Sequence, residues 1–124
     1  MEMPSIAIIG ASNHPEKFSH KAVKAYLDKG WTVYPVNPKE SEILGTRCYS
    51  SIQTVPVTPD FVSLYVPPEI VLNVLEDIAK KGVKKVYFNP GTESGANLSK
   101  AKSLGLEAIR ACSIRAIGCD PDKL

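Results

Sequence analysis

Between Ser5 and Ser19 the chain reads SIAIIGASNHPEKFS, and this stretch limits what the rest can become. The apolar run Ile6-Ala7-Ile8-Ile9 has no polar residue to turn toward water. Such a run suits a parallel strand covered by helices on both faces. It stops at Gly10, passes through the small residues Ala11 and Ser12, and gives way to a helical pattern from Phe18. A strand that ends in glycine and feeds a helix gathers backbone N–H groups and the positive end of the helix dipole in one place. That is chemistry for an anion, and the turn predicts the phosphate end of a nucleotide site. Lys17 and Ser19 add a cation and a hydroxyl beside it. The same turn also serves elsewhere as a plain strand–helix connection.

With 124 residues, 44% hydrophobic and 23% charged, the composition predicts one soluble globular domain spanning residues 1–124. No apolar run has the length of a membrane span, and the opening MEMPS lacks the basic segment and apolar core of a secretory signal. The net charge of +2, with lysines dispersed along the chain, argues against nucleic acid and is compatible with a small anionic ligand. Cys48, Cys112 and Cys119 form an odd set with no CxxC spacing, which predicts free thiols and a cytoplasmic setting. His14 and His20 are six residues apart and do not share a helix face, so no metal site is expected and both read as surface or site-edge residues.

Along the chain, residues 18–29 carry a helical stripe of Ala22, Val23, Tyr26 and Leu27 closed by Gly30. Residues 31–36 read as a strand. Residues 40–59 form a connection with a turn at Ile43-Leu44-Gly45, packed by its two apolar residues, and a helical turn near 48–52. A strand follows at 61–66, then a proline-led helix over 70–81 whose Val71, Val74, Leu75, Ile78 and Ala79 keep one face apolar. Strand 85–88, a weaker helix over 94–104 and strand 106–111 complete the pattern. Residues 112–124 have no assignable period. This alternation predicts an α/β fold, a doubly wound, mainly parallel five-stranded sheet with helices on both faces. Ligands bind such sheets beyond the carboxyl ends of the strands. The candidates there are Gly10, Ala11 and Ser12; Val36, Asn37, Pro38 and Lys39; Val66, Pro67 and Pro68; Asn89, Pro90 and Gly91; and Arg110 to Cys112. Asn, Pro and Gly after strands are also ordinary turn residues.

A dinucleotide domain would carry GxGxxG after its first strand and an acid at the end of the second; here stand GASNHP and Asn37-Pro38-Lys39, and GxxxxGK[ST] is absent. Gly10-Ala11-Ser12, Pro15, Lys17-Phe18-Ser19, Tyr34-Pro35-Val36-Asn37-Pro38-Lys39 and Glu42-Ile43-Leu44-Gly45, with Tyr49 and Ser51 after them, resemble the small stand-alone CoA-binding proteins. These are related to the Rossmann-like N-terminal domain of the succinyl-CoA synthetase alpha subunit, and the likeness runs to about Cys112. The resemblance implies coenzyme A as the ligand. It implies that the Gly10 turn holds the pyrophosphate and that Val36 to Lys39 border the adenine and 3′-phosphorylated ribose. It also implies that Val66, Pro67, Pro68 and Ile70 line the ligand, and that Asn89-Pro90-Gly91 lies near the pantetheine arm. A cysteine at the position of Cys112 belongs to the same likeness. A lysine at the second strand end suits the extra ribose phosphate, where an acid would repel it. The chain departs from the family in its apolar Tyr65-Val66-Pro67-Pro68, in Asn89-Pro90-Gly91 where many members have a glutamine-containing turn, and in its tail.

No Ser-His-Asp set or paired-carboxylate site is visible, and neither histidine has the setting of the phosphorylated histidine in the synthetase subunit. The reading is therefore non-catalytic binding of CoA or an acyl-CoA. NAD(P) binding, or a nucleotide-dependent regulatory subunit of a partner enzyme such as an acyl-CoA ligase, stays open beside it. So does a homo-oligomer.

Overall fold

A computed structural model describes residues 3–124. Five parallel strands form one sheet: β1 (Ser5–Ile9), β2 (Thr32–Val36), β5 (Phe61–Leu64), β6 (Lys85–Phe88) and β7 (Glu107–Arg110), in the spatial order β2-β1-β5-β6-β7. Helices α1 (Phe18–Asp28) and α4 (Ser113–Ala116) pack on one face, and α2 (Pro68–Lys81) and α3 (Gly95–Ser103) on the other. β1 divides its apolar run between the two layers. Ile6 and Ile8 join Ala22, Val23, Tyr26 and Ile114; Ala7 and Ile9 join Val62, Leu64, Val71, Leu75 and Phe88. That is why β1 has no polar face, and the predicted doubly wound architecture is the one observed.

The connection after β2 holds more order than its sequence suggests. Glu42–Ile43 (β3) and Thr46–Arg47 (β4) form a small hairpin whose turn residues, Leu44 and Gly45, have φ of +52° and +75°. Two positive φ values are what a twisted two-residue hairpin requires. Ile43 is buried, but Leu44 is 45% exposed, so only one of the two expected apolar residues packs the turn. The chain then covers the outer edge of β2: Tyr49 N–H donates to Pro35 O and Asn37 N–H to Tyr49 O, both at 2.9 Å. Proline is tolerated in β2 because that strand lies at the sheet edge. A 3-10 turn at Ile52–Thr54 replaces the helical turn expected slightly earlier. The tail, unassigned from sequence, holds α4 and a 3-10 turn at Pro121–Lys123.

Candidate functional site

The chain leaves β1 for β2 on one side and re-enters at β5 on the other. The carboxyl ends of β1 and β5 are therefore the place where the strand order reverses and a crevice opens. Gly10 sits at that point with φ of +90°. A Cβ there would lie 2.5 Å from the Tyr65 carbonyl oxygen and 3.0 Å from Val66 Cγ1, so the chain's own backbone demands glycine. The Gly10 and Ala11 N–H groups both donate to Val36 O, at 3.0 and 3.3 Å, and Tyr65 N–H donates to Ile9 O at 2.9 Å. The ends of β1, β2 and β5 are thus fastened together beyond the strands. The sequence reading gave the Gly10 and Ala11 amides to an anion; in the structure Val36 has taken them.

The amides that donate to no described residue lie further on, at Ser12, Asn13, Glu16, Phe18 and Ser19. Phe18 and Ser19 open α1, whose N-cap, Lys17, makes no side-chain cap bond. Ser19, the second residue of α1, is only 5% exposed. Ser12 shapes the loop instead of reaching outward. Its Oγ accepts from His14 N–H at 3.0 Å, and its carbonyl accepts from His20 Nδ1 at 2.8 Å, which fixes the ring proton on Nδ1. Of the two histidines expected at the surface or the site edge, His20 is buried against the Ser12 loop and His14 is exposed.

Asn37 is also scaffolding. Its Nδ2 donates to Ala11 O and its Oδ1 accepts from Lys39 N–H, both at 2.8 Å. Beyond it, Lys39 is exposed; like Lys17, it joins no ion pair among the described residues. Between these strand ends and α2 runs a groove of about 340 Å³. It gathers six of the predicted residues: Gly10, Val36, Asn37, Pro38, Val66 and Ile70. Ile9, Ile52 and Val74 extend its apolar wall, Ser50 and Ser51 close one side, and Asp77 is its one ionisable lining residue. Val74 and Asp77 follow Ile70 at helical spacings of four and seven, a signal present in the sequence and not used. Ile52 and the serines arrive through the edge pairing of Tyr49, which leaves no local mark. Pro67 and Pro68 form the N-cap and first position of α2 and aim the helix at the groove.

A second cavity, of about 250 Å³, opens at the same sheet edge on the α1 face and is roofed by the tail. Asn89, Pro90 and Cys112 line it together with Phe18, Tyr65 and Pro121. Asn89 does not offer itself to a ligand: its Nδ2 donates to Ser63 Oγ and Leu64 O, and its Oδ1 accepts from Ser113 N–H, each at 2.8 Å. Ser113 is the hub of this buried network, its Oγ 2.7 Å from Ser63 Oγ and 3.1 Å from the Tyr65 hydroxyl, its carbonyl accepting from Tyr26 at 2.8 Å. Burial pushes the Tyr65 phenol up to about 12. Cys112 is half-buried; Cys48 is buried and lines neither cavity, its thiol raised chiefly by burial. Arg110 stands apart, over an open depression with Phe88, Pro90, Glu93 and Ala111, and Gly91 is exposed with nothing within 4 Å of the Cβ it lacks. A larger depression, about 610 Å³, lies at the opposite edge around Asp60, Phe61 and Lys84. It is a shallow surface at the amino ends of the strands, away from the switch point.

An open parallel sheet with an apolar groove at its reversal point and an uncapped helix N-terminus beside it defines a nucleotide-binding domain of the α/β class. Residues 4–117 match the family model described as the CoA binding domain, and the chain belongs to that family. Over 115 residues, 92% of the chain, it is 36% identical to the acetate–CoA ligase [ADP-forming] of Methanocaldococcus jannaschii, and it spans 16% of that ligase's length. An uncharacterized protein of Bacillus subtilis, YneT, is 35% identical over 110 residues, covering 89% of this chain and 82% of YneT. A conserved hypothetical protein from Pyrococcus furiosus has the same fold, with a TM-score of 0.82 at 36% identity over 86% of this chain and 92% of that one.

Proposed function

We propose that the chain binds coenzyme A or an acyl-CoA without transforming it. The observation that carries this reading is the apolar groove at the switch point, set against the uncapped start of α1. The groove offers an aromatic base apolar walls, and its one charge, Asp77, is negative and unsuited to phosphate. Adenine therefore belongs in the groove and the phosphates outside it. The free amides of Ser12, Phe18 and Ser19, the Ser19 hydroxyl and the Lys17 ammonium suit the pyrophosphate. Gly10 and Asn37 act as positioning residues that hold the strand ends around it. Lys39, exposed after β2, suits the 3′-phosphate. The pantetheine arm then leads toward Asn89-Pro90-Gly91 and the cavity beside Cys112. The match takes in 92% of this chain and 16% of the ligase from Methanocaldococcus jannaschii, so what these residues share with it is a CoA binding domain and not a whole ligase. The same relationship supports a role in which the chain acts with a partner enzyme.

Calorimetric titration with CoA, dephospho-CoA and NAD tests the reading. CoA is expected to bind more tightly than dephospho-CoA, and NAD not to bind. Lys39→Ala is expected to weaken CoA several-fold while leaving dephospho-CoA nearly unchanged, since one exposed charge contributes of the order of 1 kcal/mol. Equal binding of NAD and CoA would replace the reading with a dinucleotide site.

A further inference from the structure

We propose that the cavity under the C-terminal tail seats the acyl group of a short, uncharged acyl-CoA, so that the chain holds such thioesters in preference to free CoA. This rests on the CoA-binding reading and names the ligand within it. The two cavities share one ridge. Val66 faces the groove assigned to adenine and its neighbour Tyr65 faces the tail cavity, while Phe18, the first residue of α1, joins the cavity to the proposed phosphate position. A ligand lying across the carboxyl ends of β1 and β5 therefore has one pocket for each end.

The walls specify what the second pocket accepts. Its inner surface is made by Tyr65, Asn89, Cys112 and Pro121. Both ends of the Asn89 amide are hydrogen-bonded within the protein, and the Tyr65 hydroxyl is held by Ser113. At this inner surface a polar occupant would give up its bonds to water and find few unpaired partners in return. An aliphatic group loses nothing, and each methylene it buries is worth about fourfold in affinity. At the exposed rim, Arg115 and Asp122 carry opposite charges, and Arg115 already stands 3.9 Å from Asp120. No net positive charge is left to call for a carboxylate on the acyl chain. A volume of about 250 Å³ has room for a short acyl chain.

The test is a calorimetric series on the unmodified protein with CoA, acetyl-CoA, butyryl-CoA and succinyl-CoA. Butyryl-CoA is expected to bind about fifteenfold more tightly than acetyl-CoA, for two added methylenes, and succinyl-CoA no more tightly than free CoA. In Cys112→Phe, whose ring fills the cavity, the gain from acetyl to butyryl is expected to vanish. Nuclear Overhauser contacts between the butyryl protons and the Tyr65 ring in the unmodified protein locate the group independently of any variant. Equal affinities for CoA and all thioesters, a chain-length gain that survives in folded Cys112→Phe, or the absence of those contacts would each overturn the proposal while leaving CoA binding intact. Failure of every CoA species to bind would overturn both.

Discussion

Gly10 and Gly91 both follow strands, both have positive φ, and both were candidate ligand residues from sequence. Their surroundings separate them. A side chain at Gly10 meets the Tyr65 carbonyl at 2.5 Å, whereas one at Gly91 meets nothing within 4 Å. Gly91→Ala is expected to cost only the left-handed backbone, roughly 1 kcal/mol. Gly10→Ala adds a backbone clash that no rotamer relieves, and about 3 kcal/mol or more is expected. Urea unfolding of the two variants checks this, and equal midpoints would show that the Tyr65 contact relaxes freely. Any loss of CoA binding in a Gly10 variant then reports on displaced strand ends, because the Gly10 amide is already bonded to Val36. Glycine after a strand was readable; what presses on it was not, since Tyr65 is distant in sequence.

At the scale of elements, the strands and long helices followed from periodicity because each buries a continuous apolar face. The tail did not, because it is held by polar atoms. Ser113 is fully buried and ties α4 to Asn89, Ser63, Tyr65 and Tyr26, partners 24 to 87 residues away. No local pattern records such pairings. Asn89 was legible as a residue at the ligand edge, but its side chain faces β5 and the tail. Ser113→Ala removes one oxygen and leaves the Tyr65 hydroxyl without its partner. A loss of roughly 1–3 kcal/mol is expected for an unsatisfied buried group. Hydrogen exchange is expected to show the amides of residues 114–119 opening first, with α2 still protected. Uniform loss of protection across the sheet would mean that the tail is not a separate clasp. Because Ser63 and Ser113 share one network, the double alanine variant should lose less than the sum of the single ones.

For the molecule as a whole, this network makes stability sensitive to alkali. Burial raises the Tyr26 phenol far above its ordinary value, helped by the nearby Tyr87 and Tyr65, and carries Tyr65 to about 12. Each phenol keeps its proton in the folded chain over a range where the unfolded chain, titrating near pH 10, has lost it. The stabilisation is therefore fully present below about pH 10 and is lost as pH rises through the folded values. Each such group subtracts about 1.4 kcal/mol per pH unit in that window. Unfolding free energy measured from pH 8 to 12 is expected to be set by other groups at first and to fall steeply above pH 10. Ionisation of the Tyr26 and Tyr65 rings, followed ring by ring by NMR, should accompany unfolding and not precede it. Tyr65→Phe is expected to be less stable at pH 8, where it lacks the Ser113 bond, and to show a shallower alkaline slope. A variant with the unmodified slope would mean that Tyr65 ionises in place, and that the tail yields locally before the sheet does.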